Sequence, residues 1–433
     1  MTTNSGIGVE GLAFSTGWRR SLLLNVLVLG LLALAAVGFF WQILFAGAWM
    51  PSGGGDLASL LYPTYHFAAR TLKSGLIPLW NPYLWSGAPF AADIQASLFY
   101  PVNQIYFSLA PEIGYQGLML LAVFHFWLAG AGMYLFLKTL LPRDAIVAPL
   151  FGALAYMFSD YFIVHFGNLN LIAQAAWLPF IFLFYHRALS ERRPGLAVWA
   201  GVCFAIAAAA GHIQPLLFIA LGLAGDLVYH LGQAFVRWRA GSTAKSDTKR
   251  GSIRQLLHEW RYPIFSFLIT LLVGLGLAAY VLVPAFEMMG YTARADYNYA
   301  LASAYSLAPA QLVGLLVPSF FGRDPATYWG AWDRVEVGYV GVLTLLLALV
   351  ALLVWAAPPS IPPNAGEGRA GPPRFVFLAV FSLLLAMGAY TVVHGWLYEL
   401  VPGLRSMRAP ARFVFLMDFA LAALAALGLD ALI

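Results

Sequence analysis

The run LLLNVLVLGLLALAAVGFFWQILF, residues 22 to 45, decides the fold class. It contains no Asp, Glu, Lys or Arg, and about 20 apolar residues in a helix cross the roughly 30 Å hydrocarbon core of a bilayer. Arg19 and Arg20 precede the run, as basic residues precede the core of a signal peptide. However, the run exceeds the roughly 7 to 15 apolar residues of such a core, so it predicts an uncleaved first membrane span.

Nine further apolar stretches predict spans along the chain. Only 10% of the 433 residues are charged and 61% are hydrophobic, whereas a soluble protein carries roughly 25% charged residues. Cys203 is the only cysteine, which excludes an internal disulfide and a thiolate metal cluster. We therefore expect an all-α polytopic membrane protein of about ten transmembrane helices, with residues 22–433 forming one domain. The nine stretches lie near 116–137, 145–166, 169–186, 195–211, 214–233, 263–286, 337–357, 375–393 and 413–433.

The positions of the basic residues predict the orientation. If the N-terminal segment 1–21 is cytoplasmic, 16 of the 24 Lys and Arg residues lie inside and eight outside, in agreement with the positive-inside rule. The net charge of +5 is then mostly a topology signal, so nucleic acid is not an expected partner. This orientation predicts a multi-pass protein of the cytoplasmic (inner) membrane. Its large outer loops are 46–115 and 287–336, and its cytoplasmic segments include a basic loop, 234–262, and a Pro/Gly-rich linker, 358–374.

Two shorter apolar stretches, 97–111 and 307–321, contain internal proline. They predict re-entrant or interfacial helices on the outer side. The last apolar run reaches Ile433 without a polar flank, which is the pattern expected of a fragment of a longer protein.

Asp56 is the first candidate catalytic residue. It follows Gly53, Gly54 and Gly55 in the predicted outer loop 46–115, and glycine lets the backbone approach a ligand closely. A carboxylate at the membrane surface is suited to removing a proton from a hydroxyl group. Alternatively, Asp56 caps a helix that begins at Leu57. Both interpretations are open, and they are compatible.

Asp93 is the second candidate acid of the same loop. It could cap the short helix that follows, or it could stand across a pocket from Asp56 and position an acceptor, with or without a divalent cation. Gln95 lies two residues further along the chain. No motif with metal-ligand spacing accompanies these acids, so no cofactor is predicted with certainty. A divalent cation held by the two carboxylates stays an option.

Other polar and aromatic residues could bind a substrate. Trp80, Tyr83 and Trp85 present flat faces that can stack on sugar rings, although interfacial aromatic belts are the alternative. Asp160 lies within a predicted span, where acids usually line a cavity or pair. The remaining candidates for substrate binding are Tyr62, His66 and Asn81 in the first outer loop and, at the outer ends of predicted spans, His165, Asn168, His212 and Gln214. For the last four, ordinary polar residues of helix turns are the alternative.

Arginines on the outer side oppose the positive-inside trend. Arg405, Arg408 and Arg412 lie in the stretch RSMRAPAR before the last span, and Arg294 lies in the 287–336 loop. Because arginine binds phosphate through a fixed fork of donors, Arg405, Arg408 and Arg412 are candidate ligands of a lipid phosphate, and Arg408 and Arg412 would stabilise the phosphate of a donor. Arg294 is a further candidate for substrate binding. Pairing with outer acids or with headgroups is the alternative.

Eight motifs spread over nearly the whole chain carry a resemblance to a known family. They are GGGDLASLLYP (53–63), GLIPLWNPYLWSGAPFAADIQASLFYP (75–101), HFGNLN (165–170), AAWLPF (175–180), AGHIQP (210–215), VPSFFG (317–322), EVGYVGVLTLLLAL (336–349) and RAPARFVFL (408–416). Together they resemble bacterial YfhO-like membrane proteins, which are generally longer, with more spans and a C-terminal extracytoplasmic part. That family is similar to the GT-C class of glycosyltransferases, multi-span enzymes that move a sugar from a polyprenyl-phosphate donor to an acceptor outside the cytoplasm. The resemblance implies that Asp56 is the catalytic base.

The expected function is therefore glycosyl transfer on the outer face of the membrane. The expected partners are a polyprenyl-phosphate-linked sugar donor, a glycan or polymer acceptor of the cell envelope, and the lipid bilayer. A transporter or lipid flippase without catalytic chemistry is one alternative, and Asp226 is the main residue that favours it. A non-catalytic envelope-assembly protein is another.

Overall fold

A computed structural model describes residues 10–243, 253–322, 328–329, 337–357, 371–401 and 403–433. This part of the chain is mostly helical, and its strands are limited to β1 (Trp80–Asn81) and β2 (Ala88–Pro89), which pair in antiparallel fashion. Seven of its helices are long and apolar enough to cross a membrane, as judged by length and composition. The chain is therefore an all-α polytopic membrane protein, as predicted.

The α-helices are numbered in chain order. They are α1 (Glu10–Phe39), α2 (Trp41–Phe45), α3 (Tyr62–Lys73), α4 (Pro101–Leu109), α5 (Tyr115–Leu137), α6 (Val147–Met157), α7 (Asp160–Val164), α8 (Leu169–Glu191), α9 (Pro194–Ala209), α10 (Ile213–Thr243), α11 (Ile253–Met289), α12 (Tyr299–Ala302), α13 (Val342–Ala356), α14 (Pro372–Ala386), α15 (Val392–Leu400) and α16 (Val414–Asp430). Short 3₁₀ helices cover Ile94–Ala96, Ala293–Asp296, Pro309–Leu315, Gly388–Tyr390, Leu404–Ser406 and Pro410–Phe413.

Each of the ten predicted spans contains helical residues, and among the described residues seven candidate spans are long and apolar enough to cross a membrane. The seven long candidates are Leu22–Phe39, Tyr115–Leu137, Val147–Val164, Leu169–Glu191, Ile213–Ala240, Ile253–Met289 and Pro410–Asp430. The other three predicted spans correspond to α9, α13 and α14, which have 16, 15 and 15 residues. At 1.5 Å per residue these three helices are about 23 Å long, shorter than the hydrocarbon core.

Helices continue beyond the apolar runs into three segments that the sequence places before or between the spans. Helix α1 begins at Glu10, inside the predicted N-terminal segment 1–21. The basic loop 234–262 is helical to Thr243 and again from Ile253, since Arg and Gln are good helix formers. Helix α14 begins at Pro372, inside the predicted linker 358–374, with proline in its first turn. The remainder of that linker, 358–370, lies outside the described residues.

The two stretches with internal proline form short helices. In 97–111, Pro101 occupies the first turn of α4, so this proline begins the helix and does not interrupt it. In 307–321, a 3₁₀ helix begins at Pro309.

A buried hydrogen-bond network joins the 46–115 segment to the helix bundle. The Tyr100 hydroxyl, just before α4, accepts from Trp177 Nε1 of α8 at 2.9 Å and lies 2.9 Å from His125 Nε2 of α5. His125 Nδ1 bonds in turn to the Leu121 carbonyl at 2.6 Å. Because the polar side-chain atoms of Tyr100, His125 and Trp177 all have partners in this network, it attaches the segment to two long helices at little cost in desolvation.

Small residues let neighbouring helices approach closely. A Cβ added at Gly428 of α16 would lie 1.9 Å from the Leu347 carbonyl oxygen of α13. Likewise, a Cβ at Gly201 of α9 would lie 2.8 Å from the Thr270 carbonyl oxygen of α11. In hydrocarbon, where apolar burial provides no driving force between helices, this close packing is a main source of attraction.

We expect Gly428→Ala to destabilise the fold by about 1 to 3 kcal/mol, because α13 and α16 must separate to admit the methyl group. The matched control is Gly276→Ala in α11, where an added Cβ meets no atom within 4 Å. That change should be neutral or slightly stabilising, because alanine is the better helix former. Unfolding of both variants in mixed micelles measures the difference; equal stabilities would contradict close α13–α16 packing.

Candidate functional site

Asp56 lies at the start of the helical stretch that leads into α3. Gly53, Gly54 and Gly55 before it all have positive φ angles, +74°, +80° and +50°, which glycine adopts most readily. A π-helical turn, Leu57–Leu61, follows directly, and such turns are frequent at functional sites. Asp56 itself has helical backbone angles and makes no capping hydrogen bond. The capping interpretation of Asp56 was therefore wrong.

The Asp56 carboxylate is held by a residue from another part of the chain. Asn168, at the start of α8, donates from Nδ2 to Asp56 Oδ2 at 2.6 Å. The amide oxygen of Asn168 lies 3.3 Å from His165 Nδ1. Because an amide oxygen only accepts, His165 must donate from Nδ1 in this contact. The HFGNLN motif thus orients the candidate base.

Three arginines gather on the same side of the molecule as Asp56. Arg294 comes from the 3₁₀ helix after α11, whereas Arg408 and Arg412 flank the turn before α16. Burial lowers the pKa of Arg294, and the charges of Arg408 and Arg412 lower it further. The repulsion among these guanidinium groups means that an anion bound between them would be strongly favoured.

These groups line one cavity, which we call the Asp56 cavity. Its volume is about 100 Å³, smaller than the roughly 300 to 1,000 Å³ typical of sites for drug-sized ligands. Among the described residues, no guanidinium lies within 4 Å of the Asp56 carboxylate, so acid and cations face each other across a space. The lining residues are Asp56, Leu60, Leu61, Gln95, Asn168, Asn170, Leu171, His212, Arg294, Arg408 and Arg412.

The turn between α9 and α10 positions His212 and Gln214. Burial lowers the pKa of His212 well below its usual value, and nearby Arg412 and Arg294 act in the same direction, so this imidazole is neutral at neutral pH. Gln214 Oε1 accepts from Arg412 at 3.0 Å, and its Nε2 donates to the carbonyl oxygens of Arg408 and Ala409. Gln214 therefore orients the arginine turn and its side chain does not line the Asp56 cavity.

Close packing at Gly211 brings Gln95 to this turn. Gly211 has φ +109°, and a Cβ there would lie 2.1 Å from Ser97 Oγ and 2.8 Å from the Ile94 carbonyl oxygen. Ser97 Oγ also donates to the Ala210 carbonyl at 2.7 Å. Only glycine allows the two backbones to meet this closely.

Asp93 lies outside the Asp56 cavity. It lines an adjoining cavity of about 220 Å³, together with Gln95, His212, Gln214 and Arg294. Its carboxylate accepts from the Gln95 backbone N–H at 3.0 Å and caps the 3₁₀ helix Ile94–Ala96. The structure thus gives Asp93 the capping contact and does not place it opposite Asp56.

The adjoining cavity, which we call the apolar cavity, has mostly apolar walls. The residues of these walls were not predicted from the sequence. The Met288–Met289 pair at the outer end of an apolar run is the signal that could have indicated them, since methionine forms adaptable apolar surfaces. These walls are Ala92, Ile94, Ile213, Ala285, Met288, Met289 and Met407.

Several other candidates lie elsewhere. Trp80, Tyr83 and Trp85 are exposed on and around the β1–β2 hairpin and do not line either cavity. Asn81 is buried, and its side chain accepts from the Tyr83 N–H at 3.0 Å, which stabilises that hairpin. The ring of Tyr62 lies 6.2 Å from that of His66.

His66 and Arg405 are also separate from the Asp56 cavity. His66 lines a different cavity, with Arg70, Lys73 and Glu112. Arg405 pairs with exposed Glu399 and packs over Tyr398. Of the three arginines in RSMRAPAR, Arg405 is thus the one that does not reach the candidate site.

Asp160 has an acidic neighbour that the sequence reasoning missed. Asp160 begins α7 after a break at Phe158 and Ser159, and its N–H bonds to the Tyr339 carbonyl at 2.8 Å. Fully buried Asp418 of α16 lies close enough for the two charges to interact. Asp418 lies in an apolar run, and its proximity to Asp160 depends on how α7 and α16 pack.

Within the described ranges, no group of three or more His, Cys, Asp and Glu side chains has the arrangement of a metal site. Asp333, Asp324 and the other charged residues of 323–327 and 330–336 lie outside those ranges. No family model matches the chain, and no curated protein matches it.

Asp93 provides a test of the apolar cavity. Burial raises the pKa of this carboxyl above its usual value, so its ionised form is disfavoured in the folded protein. The contribution of Asp93 to stability should therefore fall as the pH rises from its unfolded pKa through its folded pKa. Asp93→Asn should remove this dependence and keep the cap, whereas Asp93→Ala should lose the cap, at a cost of about 1 kcal/mol.

Thermal unfolding midpoints at pH 4 and pH 7 measure this effect. The advantage of Asp93→Asn over the unmodified protein should grow with pH. If it shrank instead, Asp93 would be a stabilising charge.

Proposed function

We propose that the chain is a membrane glycosyltransferase that moves a sugar from a polyprenyl-phosphate donor to an acceptor on the outer face of the cytoplasmic membrane. The observation that carries the proposal is the charge pattern of the Asp56 cavity, in which one carboxylate faces three guanidinium groups. A base and a phosphate site at one cavity are what this reaction needs. The resemblance to YfhO-like and GT-C proteins supplies the reaction class.

In the proposed reaction, Asp56 removes the proton from an acceptor hydroxyl, whose oxygen attacks the anomeric carbon of the donor sugar. The bond from that carbon to the phosphate oxygen breaks, and the phosphate leaves with the electron pair. Arg294, Arg408 and Arg412 stabilise the charge of the leaving phosphate. Attack from the side opposite the phosphate inverts the configuration at the anomeric carbon. This requirement is met if Asp56 and the three arginines line the same cavity without an ion pair between the acid and the cations.

The apolar cavity suits the lipid part of such a donor. It shares Gln95, His212 and Arg294 with the Asp56 cavity, so the two are adjacent. A phosphate beside Arg294 would leave its chain next to the apolar walls formed by Met288, Met289 and their neighbours. Asn168 orients the Asp56 carboxylate and is a positioning residue in this scheme.

We expect Asp56→Asn to lower the rate of sugar transfer about 100- to 10,000-fold, the usual contribution of a general base. The matched control is Glu112→Gln, which removes an exposed acid of the same segment and should leave the rate within about twofold. Purified proteins are incubated with polyprenyl-phosphate sugars and acceptor, and equal thermal midpoints establish correct folding. Full activity in Asp56→Asn would overturn the role of Asp56.

Arg408→Gln and Arg412→Gln should each lower kcat/KM about 100-fold, because each removes a charged donor to the leaving phosphate. Arg405→Gln is the control, since Arg405 pairs with Glu399 on the surface. The same transfer assay measures all three. Equal losses in the three variants would indicate a general effect of surface charge and contradict a specific phosphate site.

Transport is the second candidate function, favoured by a buried ion pair. Arg374 of α14 binds both carboxylate oxygens of Asp226 in α10, and both side chains are about 98% buried. Buried charged side chains in membrane-spanning helices often mark transport pathways. Movement of labelled lipid between leaflets of reconstituted vesicles, with no sugar transfer, would favour this function over catalysis.

A further inference from the structure

A second polar cavity lies at the opposite ends of the helices that form the Asp56 cavity. Asn170 lines the Asp56 cavity near the start of α8, and His186, 16 residues later, lines the second cavity. Along a helix axis this separation is about 24 Å. His212 and His230 are related in the same way across α10, about 27 Å apart. The cavities therefore lie near opposite faces of the membrane.

This second cavity, which we call the basic cavity, is large and cationic. Its volume is about 680 Å³. The ends of α8 and α10 and the starts of α11 and α14 form its walls. Four arginines line it, Arg192, Arg237, Arg261 and Arg374, with one acid, Glu259.

Two of the four arginines already have acidic partners. Arg374 is bound to Asp226, and Arg237 lies 3.5 Å from Glu259. In contrast, neither Arg192 nor Arg261 forms an ion pair or side-chain hydrogen bond within the described part of the chain. The cavity therefore retains an excess of two unpaired positive charges, which would be neutralised by a doubly charged anion.

The polar groups of the walls are held in place in a way that suits a ligand. Besides Asp226, Arg374 contacts His186 Nδ1 at 2.8 Å, so its guanidinium cannot swing away. The Tyr262 hydroxyl, on the α11 wall, is buried and has no hydrogen-bond partner among the described residues. This hydroxyl is therefore available to bond with a ligand at the α11 wall.

We propose that the basic cavity is a second anion site that binds a phosphomonoester or pyrophosphate group on the face opposite the Asp56 cavity. Phosphate matches the walls better than carboxylate, because it carries up to two charges and offers three or more oxygens to donors that converge from several directions. The group could belong to a lipid headgroup or to a soluble phosphate compound. The site shares no residue with the Asp56 cavity, so it does not depend on the proposed transfer reaction.

The test uses full-length protein in nanodiscs of neutral phosphatidylcholine. In one arm, inorganic pyrophosphate is titrated and the thermal unfolding midpoint is followed, since a ligand that binds only the folded state raises it. In the other arm, the nanodiscs contain increasing fractions of phosphatidic acid, a lipid phosphomonoester. A saturable rise with pyrophosphate identifies a soluble phosphate source. A rise with phosphatidic acid alone identifies a headgroup.

Matched double variants separate a specific site from general attraction. Arg192→Gln with Arg261→Gln removes the two unpaired arginines of the basic cavity. This double variant should bind whichever ligand raised the midpoint with at least tenfold lower affinity. Arg193→Gln with Arg254→Gln removes the same charge from neighbouring positions that do not line the cavity, and should change affinity less than twofold. No rise in either arm, or equal weakening in both double variants, would overturn the site.

Discussion

A backbone inside hydrocarbon must satisfy its own N–H and C=O groups, and the arrangement of this protein depends on that demand. Helices meet it internally, so the long apolar segments are helical and pack through contacts such as that of Gly428 with the α13 backbone. Polar side chains then collect where helices end. Helix α8 shows the result, with Asn168 and Asn170 at its start and His186 near its other end. The two polar cavities are built from these ends.

Charge repulsion gives the Asp56 cavity its chemical character. Arg294, Arg408 and Arg412 are brought together, and the charges of Arg408 and Arg412 add to the effect of burial in lowering the pKa of Arg294. The carboxylate that shares their cavity is instead held by a neutral donor, Asn168. In the proposed reaction, an acid and cations that form no salt bridge with each other act on the two ends of one reacting bond. The charge pattern therefore fits the proposed catalytic role.

Part of the candidate site could be predicted because charges are rare in this chain. An acid after three glycines and arginines against the topology trend stand out among 433 residues of which 10% are charged. The sequence does not distinguish two roles of a residue when both roles have the same local pattern. Asp56 and Asp93 both precede short helices, yet only Asp93 makes a capping contact. Similarly, Arg405 and Arg408 are three residues apart, yet only Arg408 lines the Asp56 cavity. The backbone turn at Ala409, whose φ angle is in the left-handed region, helps to direct Arg408 toward that cavity.

The sequence by itself determined the fold class and the approximate positions of the helices. Hydropathy is a local property, and the free energy of placing a segment in lipid is close to a sum over its own residues. Only the tertiary structure decided that Asp56, Asn168 and Arg408 line one cavity, and that Asp93 lines the next one. Which helix ends become neighbours depends on the packing of small residues and on buried hydrogen bonds between distant segments. No single stretch of sequence contains that information.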